Sequence, residues 1–117
     1  LFLCDTPGMM VGPEVEKTAL VRHCSRLFVT GANLGVPFGT IVLRKAYGLG
    51  AQAMAGGSFH AGAFAISWPT GEFGGMGLEV DEVIDPADSR RWVSTGLLDA
   101  PRRPRHAHKR RPSIDTW

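Results

Sequence analysis

Gly48-Leu49-Gly50-Ala51 stands between a β-branched run and a run of small residues, the pattern of a strand passing into a helix. At such a junction the N–H groups of the first helical turn have no partner inside the helix. The helix dipole adds positive potential in front of them, and glycine lets a ligand come close to the backbone. The chemistry on offer is anion or oxyanion binding by the main chain. The same glycines would also serve a tight strand-to-helix turn that binds nothing. Side chains offer less. His23 and Cys24 are neighbours, but adjacent residues point different ways on a helix, so adjacency alone does not pair a nucleophile with a base. His60, His106 and His108 lack metal-ligating company, and neither paired carboxylates nor a His-Glu-x-x-His pattern occurs. The two histidines of the body read as structural and the two near the end as solvated.

Asp5-Thr6-Pro7-Gly8 offers a rival chemistry. A strand ending in Asp-x-x-Gly is how a GTPase reaches magnesium and the γ-phosphate, and the later strand leading to Arg44-Lys45 sits where a GTPase reads guanine. Two features stand against it. No Gly-x-x-x-x-Gly-Lys-[Ser/Thr] loop is present to cradle phosphates, and Arg44-Lys45-Ala46-Tyr47 replaces the Asn-Lys-x-Asp that reads the base.

The elements that would position these residues alternate between strand and helix. Residues 1–4 form an apolar strand stopped by the turn cluster at 5–8, and Gly12-Pro13 extends the loop. A helix is expected over 14–30, with Val15, Ala19, Leu20, Leu27 and Phe28 on its apolar face and Gly31 as its stop. A strand follows over 38–43, then the glycine junction and a small-residue helix over 51–55. Apolar runs at 63–67 and 80–84 flank a glycine-rich stretch at 72–78. A helix over 88–98 takes Asp88 or Ser89 as N-cap, and a Pro/Arg tail closes the chain. The class is α/β.

The 117 residues suit one small domain. With 44% hydrophobic and 21% charged residues the composition is globular, and no apolar run reaches the ~18 residues of a membrane span. No signal peptide is visible, and two cysteines make no disulfide framework, so the expected setting is cytoplasmic with reduced thiols. The net charge of +2 hides an asymmetry. Residues 1–101 carry 7 basic and 10 acidic side chains, residues 102–117 carry 6 basic and 1 acidic. A basic end could touch nucleic acid, but with Trp117 its sole aromatic residue the tail reads as solvated. A chain opening on Leu1 in an apolar strand is expected to be a piece of something longer.

Together the motifs resemble the carboxyltransferase (beta) subunit of biotin-dependent acyl-CoA carboxylases. Those that carry the resemblance are Asp5-Thr6-Pro7-Gly8, Arg22-His23, Val36-Pro37, the run from Thr40 through Arg44-Lys45-Ala46-Tyr47-Gly48, Phe64-Ala65, Trp68-Pro69-Thr70 and Met76-Gly77. Val80-Asp81-Glu82-Val83-Ile84-Asp85-Pro86 with Arg90-Arg91 resembles the family's last strand and helix, and Lys109-Arg110-Arg111-Pro112 with Ile114-Asp115-Thr116-Trp117 resembles its carboxyl terminus. The resemblance implies a crotonase-like (ClpP/crotonase) fold of β-β-α units in a superhelix, present here incompletely: a partial C-terminal carboxyltransferase domain over 1–100 and a basic Pro/Arg-rich tail over 101–117.

The implied reaction moves a carboxyl group from carboxybiotin to the α-carbon of an acyl-CoA. One backbone oxyanion hole, in an N-terminal domain, holds the thioester enolate. The other holds the biotin ureido oxygen and falls on the N–H groups of Leu49 and Gly50, with Gly48, Ala51 and Gln52 shaping the biotin side. Biotin takes the α-proton itself, which accounts for the thin side-chain inventory. The cofactor is biotin brought by a carrier: Lys17, Lys45 and Lys109 are the only lysines, and none stands between two methionines as a biotin-accepting lysine does. Implied partners are the acyl-CoA substrate, the biotin carboxylase and biotin carrier subunit, and the N-terminal carboxyltransferase domain of a neighbouring subunit in a homo-oligomer, with no nucleic acid and no membrane.

Two departures stand out. Met76-Gly77-Leu78-Glu79 runs straight into Val80-Asp81, where the family has a further helical segment some tens of residues long; its loss is expected to uncover apolar core surface and shift the last strand. Gly35 and Gly39 replace bulkier residues, at an expected cost in packing. A non-catalytic remnant or interface fragment of the same family is the alternative reading.

Overall fold

The computed structural model describes residues 1–75 and 77–101; Met76 and all of the expected tail except Pro101 lie outside the described residues. The organising element is one long strand. Thr40, Ile41, Val42 and Leu43 favour a pleated, buried chain, and β2 runs Gly39–Tyr47, past the expected end at residue 43. The extension has a physical reason in its neighbours. On one edge β2 pairs with β1 (Phe2–Thr6). On the other, its Gly39–Val42 half pairs with β3 (Phe64–Ser67) and its Lys45–Tyr47 end with β4 (Glu72–Gly74). β5 (Glu82–Val83) adds to β3, so the order is β1-β2-β3-β5, with β4 on β2 and every pair parallel.

β2 bends midway. The register moves from Cys4↔Val42 to Thr6↔Ala46, four steps of β2 against two of β1. Side chains take up backbone groups that the interrupted ladder leaves over. The Lys45 N–H donates to Asp5 Oδ1 at 3.1 Å, with Arg44 Nε 3.5 Å from the same oxygen, and the Thr70 hydroxyl donates to the Leu43 carbonyl. Asp5 and Thr6 thus belong to β1, and the turn begins after them.

Alternation along β2 builds two cores. Ile41 is buried on one face with Phe64, Ile66 and Ile84, against Trp92, Val93 and Leu97 of α4 (Ser89–Leu98). Val42 and Ala46 are buried on the other with Cys4, Ala65, Phe59 and Leu78, against Ala51 and Ala55 at α3 (Gly48–Met54). Phe64 explains Gly39. A Cβ at Gly39 would sit 2.3 Å from the Phe64 ring, and one at Gly96 of α4 would sit 2.5 Å from it. The ring fills a slot between two glycines, so Gly39 is a packing requirement and not the expected loss. A Cβ at Gly35 would meet nothing within 4 Å.

The expected helix over 14–30 is two helices, α1 (Pro13–Glu16) and α2 (Leu20–Ala32). Ala19 breaks them at φ 56, in the left-handed region. The Thr18 hydroxyl and the N–H groups of Thr18 and Ala19 close the end of α1 by short-range bonds to Val15 and Glu16 carbonyls. Gly31 is not a stop. It lies inside α2 because α2 crosses the chain there: a Cβ on it would fall 2.0 Å from the Gly56 carbonyl oxygen. Asp88 is the N-cap residue of α4, as expected, but its side chain makes no capping hydrogen bond. A 3-10 turn, Pro86–Asp88, precedes the helix, and Asp85 Oδ1 accepts the Ala87 N–H at 2.8 Å. Ser89 Oγ instead accepts from Trp68 Nε1 at 3.0 Å.

Leu78 reaches the α3-side core, Val80 packs against it, and the chain returns at once to the sheet. The Asp81 N–H donates to the Ala65 carbonyl and the Ala65 N–H to Asp81 Oδ2, both at 2.7 Å. β5 keeps only two residues, and Val83 on it is 59% exposed.

Candidate functional site

The glycine junction is the corner where β2 turns into α3. Tyr47 is the N-cap in an extended conformation (φ −115, ψ 126), and Gly48 follows at φ 55, which glycine adopts without the Cβ penalty. A Cβ on Gly48 would meet nothing within 4 Å, so the space beside it is open. The Tyr47 side chain does not cap α3, and the N–H groups of its first turn have no partner within the helix.

Two loops close on this turn. On one side the chain after β1 presses on Gly50, where a Cβ would fall 2.9 Å from Gly8 Cα and 3.2 Å from the Met9 nitrogen. On the other, a Cβ on Gly75 would lie 3.4 Å from the Gly48 nitrogen, and one on Gly77 would lie 3.2 Å from Gln52 Nε2. The five expected site residues are contiguous on α3, but their surroundings differ. Leu49 is 62% exposed, Gly48 and Gln52 are half-buried, Gly50 is buried, and Ala51 turns into the core with Cys4 and Val42.

Beside Gly50 lies a cleft of about 280 Å³ between the β1–α1 loop, α2 and α3, lined among others by Met9, Leu20, Cys24, Leu27 and Met54. Sequence reasoning missed it. Its signal was the spacing of Leu20, Cys24 and Leu27, one stripe of a helix that starts at Leu20 and not at residue 14. Cys24 is half-buried on that stripe while His23 is exposed, so the two lie on different faces of α2. His60 stands 3.5 Å from Glu79, both well exposed. Among the described residues no group of three or more His, Cys, Asp or Glu could hold a metal ion.

Two groups have shifted protonation. Burial, with the Asp5 charge adding to it, pushes the Cys4 thiol up to about 11, so it is neutral at physiological pH and no nucleophile. Tyr47 donates to Glu72 Oε2 at 2.9 Å, and that bond, with smaller effects of desolvation and the carboxylate charge, raises its phenol above the usual range.

The parallel sheet with helices on both faces is the crotonase-like fold of the solved carboxyltransferases it resembles. The chain belongs to the carboxyl transferase domain family, which it matches over residues 1–85. It is 38% identical over 79 residues to the uncharacterized carboxylase YngE of Bacillus subtilis, covering 68% of this chain and 15% of that protein. To the methylmalonyl-CoA carboxyltransferase 12S subunit of Propionibacterium freudenreichii it is 28% identical over 138 residues, covering 81% and 26%. To the biotin-dependent long chain acyl-coenzyme A carboxylase beta4 subunit of Mycobacterium tuberculosis it is 33% identical, covering 68% and 15%. Among solved structures, a single-chain, multi-domain long-chain acyl-CoA carboxylase superposes with a TM-score of 0.75 at 46% identity, over 80% of this chain and 14% of that one. The chain therefore spans about 15% of the length of several relatives. No helix among its described residues is long and apolar enough to cross a membrane.

Proposed function

We propose that this chain is the biotin side of an acyl-CoA carboxylase carboxyltransferase, with the N–H groups of Leu49 and Gly50 as its oxyanion donors. The observation that carries the reading is the corner itself: Gly48 open in front, Gly50 held against Gly8, and an apolar cleft of about 280 Å³ beside them. Those features fit a small, mostly apolar bicyclic group with one polar oxygen. When bound, carboxybiotin supplies the carboxyl group and leaves charge on its ureido oxygen. The chain's own part is to hold that oxygen with backbone donors that need no reorganisation, each typically worth ~3 kcal/mol. Gly48 and Gln52 border the same turn.

Biotin arrives on a carrier protein. The acyl-CoA enolate hole belongs to an N-terminal carboxyltransferase domain outside these 117 residues, contributed by a neighbouring subunit of a homo-oligomer in the cytoplasm. Residues 1–100 are a partial C-terminal domain, shortened between 79 and 80, and 101–117 a basic tail. The 12S alignment supports a shortening: it runs over 138 residues yet takes in only 81% of this chain, so the relative has residues without counterpart here.

Amide-resolved NMR of the purified chain, with and without millimolar biotin, tests the site. The expected result is a dispersed spectrum in which Leu49 and Gly50 shift. A dispersed spectrum in which they stay still sinks the assignment. The second reading, a non-catalytic remnant, takes as its support the residues of the 12S subunit that have no counterpart within the aligned part of this chain, and a collapsed spectrum would select it.

A further inference from the structure

Tyr47 touches both loops beside the corner. A Cβ on Gly8 would lie 3.3 Å from the Tyr47 carbonyl oxygen and 3.7 Å from Tyr47 Cβ, so the β1–α1 loop rests on its backbone. A Cβ on Gly74 would lie 2.6 Å from ring atom Cδ1 and 3.0 Å from Cε1, so β4 rests on its ring. The same residue is the N-cap of α3. Its hydroxyl donates to Glu72 Oε2 at 2.9 Å and fixes the ring along β4. Each neighbouring loop then reaches the turn through a glycine contact, Gly8 to Gly50 and Gly75 to Gly48.

We infer that Tyr47 is a positioning residue: its backbone seats the Gly8 loop, its ring seats Gly74 at the end of β4, and together they set the width of the opening at Gly48. It touches neither biotin nor the reacting atoms. The inference rests on the reading that biotin binds at Leu49 and Gly50. The ring is planar and stiff, with two side-chain torsions, and Gly74 gives it a flat seat. An aliphatic side chain of similar length would leave that seat empty, and β4 would close onto the corner.

The full chain is titrated with biotin, with the Leu49 and Gly50 amide shifts giving Kd, and each variant is melted in parallel. Tyr47→Phe keeps the ring and is expected to bind within twofold of the wild type. Tyr47→Leu removes the ring and is expected to weaken binding at least fivefold while still melting cooperatively. Gly74→Ala leaves Tyr47 intact but pushes a methyl into the ring, and is expected to show the same loss from the opposite side. Wild-type amides that ignore biotin overturn the biotin reading, and this inference falls with it. A responsive wild type with Tyr47→Leu and Gly74→Ala both binding equally well overturns the inference alone. Loss of cooperative melting in both of those variants also overturns it, because Tyr47 would then serve the fold and not the opening.

Discussion

Gly50 and Gly8 stand so close that a single methyl on Gly50 would lie 2.9 Å from the Gly8 Cα. Gly48, two residues earlier, has open space and a left-handed φ of 55. Glycine is needed at both positions for different reasons, and substitution separates them. Gly50→Ala is expected to cost ~1–3 kcal/mol by overpacking against backbone that cannot swing aside. Gly48→Ala is expected to cost ~1–2 kcal/mol from its torsion alone, and Gly48→Asn less. Urea denaturation of the variants checks both. If Gly48→Asn proved as costly as Gly48→Ala, the torsional account would be contradicted.

The Phe64 ring between Gly39 and Gly96 makes a pairwise prediction. Gly39→Ala is expected to lose ~1–3 kcal/mol, and much of that loss should vanish when Phe64 is shortened by Phe64→Leu. A double-mutant cycle measures the coupling. Strict additivity would mean that the ring does not occupy the slot.

Ala19 holds a left-handed backbone between α1 and α2. Ala19→Gly is expected to raise stability by roughly 0.5–1 kcal/mol, since glycine removes a Cβ penalty of ~1–2 kcal/mol and returns part of it as chain entropy. In a continuous helix over 14–30 the same change would destabilise, so the sign of the shift in Tm discriminates the two.

The Cys4 thiol, raised from 9.0 to about 11 mainly by burial, keeps its proton in the folded chain while the unfolded chain loses it. Stability is therefore flat in this group below about pH 9 and falls as pH rises from 9 toward 11, at up to ~1.4 kcal/mol per unit. Iodoacetamide at pH 8 is expected to label Cys24 in the native protein, and Cys4 only after urea is added. Equal labelling rates without urea would place Cys4 outside the core.

The corner at Gly48 was readable because its signals are local: β-branched residues before it, small residues after it, and glycines between. The run Thr40, Ile41, Val42 likewise announced a strand, because its β-branched residues favour one locally. What could not be read depended on partners distant in the chain. The last residues of β2, from Arg44 to Tyr47, are not strand formers as a group, and they extend because β4, much later in the chain, pairs with them. Gly39 looked like a defect because Phe64 and Gly96 were not yet beside it. Gly31 looked like a helix stop because Gly56 was not yet across from it. The cleft beside Gly50 stayed hidden for a related reason: the break at Ala19 decides which face of α2 lines it, and alanine gives no warning of a left-handed turn.

The sheet's all-parallel pairing has a consequence for the chain's biogenesis. A tight hairpin could join none of these neighbours, so every pairing waits for a crossover to be made. Residues 1–47 leave the ribosome with β1 and β2 complete, but the far edge of β2 stays bare until Phe64–Ser67 and then Glu72–Gly74 have been synthesised. In that interval Ile41, Val42 and Leu43 present an apolar, β-prone edge, the kind of segment that recruits chaperones or neighbouring nascent chains.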